Sequence, residues 1–272
     1  MSLMSGPTMV TACRSDPRFS YCMYLPPRNA GRKTRPDLVV AVHGSLRPFM
    51  RYRDALSAFG RWNHCAILCP LFPAGVHGDG YGDGYKYLLE GDLRYDQLLL
   101  SMVDEVTAEH GLDGTRFGLF GYSGGAHLAH RFYTLHPDRL WAVSIGAPGS
   151  VTLLDWTRDW WVGVRNTQEL FNVQVAPAVM RKVPVQMIVG QMDLETHEIV
   201  HHEGERSWMP GANDSGRNRP ERLARLRDSY AAHDIAVRFD VVPDVAHDGL
   251  RCAQIAEDFL AEVLARRRES IR

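Results

Sequence analysis

Short apolar runs recur along this 272-residue chain, and most are followed by a longer stretch whose apolar positions keep helical spacing. The runs predict strands near 19–25, 37–43, 66–72, 116–122, 140–147, 184–190 and 236–242. The longer stretches predict helices near 50–61, 94–110, 124–136, 219–233 and 250–267. In the third of these helices Leu128, Ala129, Phe132 and Leu135 fall on one face, and Pro137 stops it. Pro26, Pro27, Gly31 and Pro36 mark 27–36 as a loop. Strand alternating with helix predicts an α/β fold, a mostly parallel central sheet with helices on both faces. The length suits a single domain over 1–272.

Two segments break the alternation. The first, 148–183, carries Trp156, Trp160, Trp161, Phe171 and Val173 among polar residues and is expected to be a small lid-like insert. Its tryptophans either wall an acyl or aromatic pocket or pack the insert onto the core. The second is 194–218, which carries a metal-binding motif discussed below.

The chemistry starts at Gly121-Tyr122-Ser123-Gly124-Gly125, between a predicted strand and a predicted helix. That context is the one a nucleophile elbow needs. A tight turn lifts the Ser123 hydroxyl out of the sheet, and side chains at 121 and 125 would collide across it. A serine nucleophile requires a base and an orienting acid. On this kind of scaffold the acid comes next along the chain and the histidine last. Asp193 follows the strand ending at Gly190, with Glu195 as the alternative acid. His247 lies in the loop Pro243-Asp244-Val245-Ala246-His247-Asp248-Gly249 after the last strand. Ser123 would attack, His247 would carry its proton, and Asp193 would fix the histidine tautomer.

Negative charge then develops on a carbonyl oxygen, and backbone N–H groups must meet it. The expected donors are Gly124 and Ser45, or Leu46 in place of Ser45, after the apolar run 38–42 and His43-Gly44. Leu46, Tyr81, Tyr122, Trp160 and Trp161 are candidate substrate contacts, with Tyr85 and Tyr87 beside Tyr81. His127, His130 and His136 read as surface or packing residues, and His64, His77, His110 and His233 as loop or helix-end residues.

Two metal motifs compete. His197-Glu198-Ile199-Val200-His201 matches the zinc-peptidase signature, in which two histidines four apart on a helix face one metal. Position 207, where the longer pattern places a third ligand, is Ser207, and no convincing long helix surrounds the motif. Asp79-Gly80-Tyr81-Gly82-Asp83-Gly84 with Glu90 approximates a calcium loop, but Tyr81 replaces an oxygen ligand. A Gly/Tyr loop beside the active site is the reading adopted, and no metal is expected.

From about residue 38 to the C-terminus the chain resembles an α/β-hydrolase of the esterase group. The stretch 121–127, with His130-Arg131-Phe132, His136-Pro137 and Gly146-Ala147-Pro148-Gly149, is similar to polyhydroxybutyrate-depolymerase-like and feruloyl-esterase-like hydrolases. The resemblance implies serine-dependent hydrolysis of a carboxylic ester through an acyl-enzyme, with no cofactor. Polymer depolymerases of that group carry an export signal that 1–6 does not display, which favours a small or oligomeric ester. Thioester cleavage and small-substrate peptidase activity are neighbouring chemistries. A catalytically inactive hydrolase-fold binding protein is the non-enzymatic alternative.

Composition narrows the partners. Hydrophobic residues are 45% and charged residues 23%, with a formal net charge of −1. There is no electrostatic case for nucleic acid or an anionic membrane surface. No apolar run reaches the length of a membrane span. The scattered, odd-numbered Cys13, Cys22, Cys65, Cys69 and Cys252 read as free thiols in a reducing cytoplasm. Met1-Ser2-Leu3 before Met4 reads as an expression scar, and the dominance of Arg over Lys33, Lys86 and Lys182 as bacterial coding. Arg266-Arg267-Arg268 is expected to close the last helix. Oligomeric state is left open.

Overall fold

A computed structural model describes residues 5–27 and 34–271. The start at 1–4 and positions 28–33 of the 27–36 loop lie outside the described residues. The elements run β1 (Gly6–Pro7), β2 (Thr11–Ala12), β3 (Ser20–Leu25), β4 (Asp37–Val42), α1 (Phe49–Ala55), α2 (Ser57–Asn63), β5 (Cys65–Leu71), α3 (Gly84–Tyr87), β6 (Leu89–Glu90), β7 (Leu93–Arg94) and α4 (Tyr95–His110). Then come β8 (Asp113–Tyr122), α5 (Gly124–Leu135), β9 (Leu140–Gly146), α6 (Thr167–Phe171), α7 (Pro177–Met180), β10 (Val185–Gly190), α8 (Arg219–Ala231), β11 (Val237–Val242) and α9 (Gly249–Ile271).

The main sheet has the order β1-β3-β5-β4-β8-β9-β10-β11, with β2 also paired to β3. From β5 to β11 every pairing is parallel, and β3 joins the sheet antiparallel. This is the expected α/β architecture. The all-apolar run 38–42 explains the central place of β4, because both its faces are covered and all its residues are buried. The edge strand β11 alternates and stays partly exposed.

The register sets the site. Val42 pairs with Gly121, Tyr122 with Gly146, and Gly190 with Val242. The loops that leave the C-terminal ends of β4, β8, β10 and β11 therefore meet at one rim, where parallel sheets place their ligands.

Three local readings change. The helix expected over 50–61 is two helices, α1 and α2, meeting at Leu56. The Ser57 hydroxyl donates to the Asp54 carbonyl at 2.7 Å and takes up a group the first helix leaves open. Helix α5 is buried on all sides rather than along one stripe. Its histidines explain how a helix with polar residues can be enclosed. His127 Nε2 accepts the Gly149 N–H at 2.8 Å, and His130 Nε2 accepts the Thr152 N–H at 3.0 Å. Their Nδ1 atoms then carry the protons, given to Ser150 Oγ at 3.1 Å and to the Ala126 carbonyl at 2.7 Å. Finally, the basic run in α9 reaches the sheet rather than only the helix end. Arg267 and Arg268 both pair with Asp37, and Arg267 also reaches Asp113 at 2.9 Å.

All five cysteines are buried free thiols, and Cys22 faces Cys69 across the β3–β5 pairing. No helix of the described residues is long and apolar enough to cross a membrane.

Candidate active site

Ser123 links β8 to α5 with φ of 56° and ψ of −118°, a conformation that L-residues avoid. The glycines make this turn possible. A Cβ at Gly121 would run into the Gly125 carbonyl. One at Gly125 would run into the Val42 carbonyl and sit 2.9 Å from that of His43.

Asp193 leaves β10 in a turn closed by its own N–H to the Gly190 carbonyl at 3.1 Å, and its carboxylate is buried. His247, from the loop after β11, donates Nδ1–H to Asp193 Oδ2 at 2.6 Å. This leaves Nε2 as the basic nitrogen. The alternative acid, Glu195, is exposed and pairs with His197 at 3.1 Å. The ring of Tyr122, the neighbour of Ser123, packs on His247 with centroids 4.9 Å apart. Its hydroxyl lies 3.4 Å from His247 Nδ1.

Next to Ser123 a cavity of about 220 Å³ is lined by Ser45, Lys86, Gly124, His201 and Arg219, among others. A Cβ added at Gly124 would lie 3.2 Å from the Ser45 amide nitrogen, so the two expected N–H donors are neighbours. Among the described residues neither N–H is given to another protein group. His43 shapes this loop without facing the cavity. Its Nε2 accepts the Phe72 N–H at 3.0 Å, Nδ1 donates to the Gly44 carbonyl at 2.8 Å, and burial lowers its pKa to about 4.

Of the candidate substrate contacts, Tyr87 lines this cavity, and Leu46, Tyr81, Trp160 and Trp161 are not among its lining residues. Leu46 is 95% exposed, and Tyr81 lies under the Arg206 guanidinium at 4.2 Å. Trp160 donates Nε1–H to the Tyr87 carbonyl, and Trp161 to the Ser207 carbonyl, each at 2.9 Å. Trp161 also packs on Tyr87 and His201, so it supports cavity-lining residues from behind. Of 148–183 only Gly149 lines the cavity, whereas 194–218 supplies Glu198, Ile199, Val200, His201, Glu205 and Ser207.

Sequence reasoning missed Arg219, whose Nη1 lies 3.2 Å from Asp193 Oδ1 while Nη2 holds Glu198 at 3.0 Å. It also missed Lys86 and Ser207. For Lys86 the signal was the Gly/Tyr loop in which it stands; for Arg219 and Ser207 no local pattern exists.

Neither metal motif assembles. His197–Ile199 is a single turn of 3-10 helix, so the two histidines do not share a helical face. His197 turns to Glu195, Glu198 to Arg219, and His201 to Ser207 at 3.1 Å. In the calcium-like loop α3 interrupts the ring, Asp79 pairs with Arg206, and Glu90 accepts from Tyr95 at 2.7 Å.

No family model and no curated protein matches the chain. Solved structures do. A poly(aspartic acid) hydrolase-1 from Sphingomonas sp. KT-1 superposes with a TM-score of 0.73 at 20% identity, over 94% of this chain and 98% of that one. A poly(3-hydroxybutyrate) depolymerase from Bordetella parapertussis gives 0.67 at 22%, over 91% and 87%. A ferulic acid esterase gives 0.64 at 13%, over 96% and 100%. This is the α/β-hydrolase fold. In α/β-hydrolase terms, Ser123 occupies the strand-to-helix elbow, Asp193 follows a later strand and His247 follows the last one.

Proposed function

We propose that this protein is a serine hydrolase that cleaves a carboxylic ester through an acyl-enzyme. The Asp193–His247 hydrogen bond of 2.6 Å, at the rim where Tyr122 carries the chain into the strained Ser123, supports this reading above all. In it Ser123 Oγ attacks the carbonyl carbon as His247 Nε2 takes its proton. The N–H groups of Ser45 and Gly124 hold the oxyanion. His247 returns the proton to the leaving alcohol and then activates water on the acyl-enzyme, while Asp193 stabilises the imidazolium. The likeness to a depolymerase of poly(3-hydroxybutyrate) and to a ferulic acid esterase supports an ester.

The cover of the site, in this reading, is 194–218 rather than 148–183, because six of its residues face the cavity. The test is a panel of nitrophenyl esters of increasing acyl length, run beside fluorophosphonate labelling. Wild-type protein is expected to turn over and label, and Ser123→Ala to do neither. Turnover that persists in Ser123→Ala overturns the assignment.

A further inference from the structure

The cavity is an unusual one for an apolar acyl chain, since Ile199 and Val200 are its only aliphatic lining residues. Its charges are also unevenly placed in depth. The cations lie deeper: the Lys86 side chain is 13% exposed, and that of Arg219, which is buried, 5%. Behind the wall stand two more. Arg131 and Arg222 are 0% and 1% exposed, and neither forms an ion pair among the described residues. Arg131 gives its protons to the Lys86 carbonyl at 2.6 Å, Ser150 Oγ at 3.0 Å and Thr152 Oγ1 at 2.8 Å, and lies under Tyr87. Arg222 gives one to the Ile199 carbonyl at 2.8 Å and another to that of Gly149.

The carboxylates lie further out. Asp83, on Lys86 at 2.7 Å, is 43% exposed, and Glu198, on Arg219, is 58% exposed. Glu205 is exposed as well. Asp193 is buried and shared between His247 and Arg219, and Glu90, buried beside Gly84 behind the wall, accepts from Tyr95 at 2.7 Å. Water screens the outer carboxylates far more than the inner cations, so the cavity floor is electropositive. The wall histidine His201 reports the same field. Burial, and then the charges of Arg222 and Arg131, bring it down to about 4, so it stays neutral.

Lys86 is the one of these cations set over the reacting centre. A Cβ added at Gly124 would lie 3.2 Å from Lys86 Cε, which puts the ammonium, one bond further, near the Ser123–Gly124 turn. We propose, resting on the hydrolase reading, that the cavity selects esters bearing a free carboxylate and that Lys86 grips that carboxylate, displacing the exposed Asp83.

The test separates binding from turnover. Ser123→Ala is titrated calorimetrically with ethyl hydrogen succinate against ethyl valerate, charged on the acyl side, and with O-butyrylglycolate against propyl butyrate, charged on the alcohol side. One charged ester is expected to bind about tenfold or more tightly than its neutral counterpart. Which pair shows the preference tells the side. Adding Lys86→Met to Ser123→Ala is expected to bring that ratio close to one. Charged esters that bind no better than neutral ones, or a preference that survives Lys86→Met, overturn the proposal. If the preference is present but wild-type protein hydrolyses none of the four, the anion site stands and the hydrolase reading falls.

Discussion

Arg219 and His247 hold opposite oxygens of one carboxylate, Arg219 Nη1 at 3.2 Å from Asp193 Oδ1 and His247 Nδ1 at 2.6 Å from Oδ2. A carboxylate free to rotate would present His247 with a moving partner. Arg219 removes that freedom and also tempers the negative charge that faces the imidazole.

Replacing it is therefore expected to act on chemistry more than on substrate binding. Arg219→Met is expected to lower kcat about tenfold or more with a smaller change in KM. With one cation gone, Asp193 loses the hydrogen bond that fixes its orientation toward His247. Arg219→Lys is expected to recover part of the rate. Steady-state kinetics check both; a kcat and KM identical to wild type in Arg219→Met remove Arg219 from this role.

The elbow stores strain that stability measurements can read. At φ of 56° and ψ of −118°, Ser123 sits where glycine is at ease. Ser123→Gly is expected to abolish turnover yet unfold about 1 kcal/mol less readily than Ser123→Ala, a gain of roughly 2 °C in Tm. Equal melting temperatures for the two variants would show that the turn is not strained.

Asp96 governs the acid limb of stability. It is buried in α4, where burial alone would raise its pKa. Hydrogen bonds from His136 at 2.8 Å and Arg94 at 2.7 Å outweigh that and hold it down to about 2. A depressed folded value stabilises the protein above the unfolded carboxylate pKa of about 3.9 and loses that contribution as pH falls toward 2. Asp96→Asn is expected to cost about 3 kcal/mol at pH 7 and to flatten the loss of stability below pH 4. Urea unfolding at pH 7 and pH 3 measures it.

The tryptophans of 148–183 are expected to matter for stability rather than for acyl choice. Trp160 is buried on Phe171 and gives its indole N–H to the Tyr87 carbonyl at 2.9 Å. Trp160→Phe leaves that carbonyl unpaired and is expected to cost about 1–3 kcal/mol. The order of preference across acyl lengths is expected to be unchanged. A shifted preference would mean that Trp160 meets the substrate.

Much of this was open to reading in the residues themselves. The strand positions and the tight turn at 121–125 follow from spacing and from turn chemistry, which act over a few residues, and the same reasoning makes Asp193 and His247 candidates. Alternation could not tell that α5 is enclosed on every side, because its histidines find backbone partners 22 residues away. Nor could Trp160 and Trp161 be sorted between pocket wall and packing, since the same amphipathic ring suits both.

The amino-acid order by itself determined the elements, their alternation and the strained glycine-flanked serine, because backbone sterics and hydrophobic period are local properties. The folded molecule alone decided which charges lie deep and which lie outside, that Arg219 reaches across 26 residues to Asp193, and that Lys86 arches over Gly124. Burial and dielectric depend on everything packed around a group, and no window of sequence contains that surrounding.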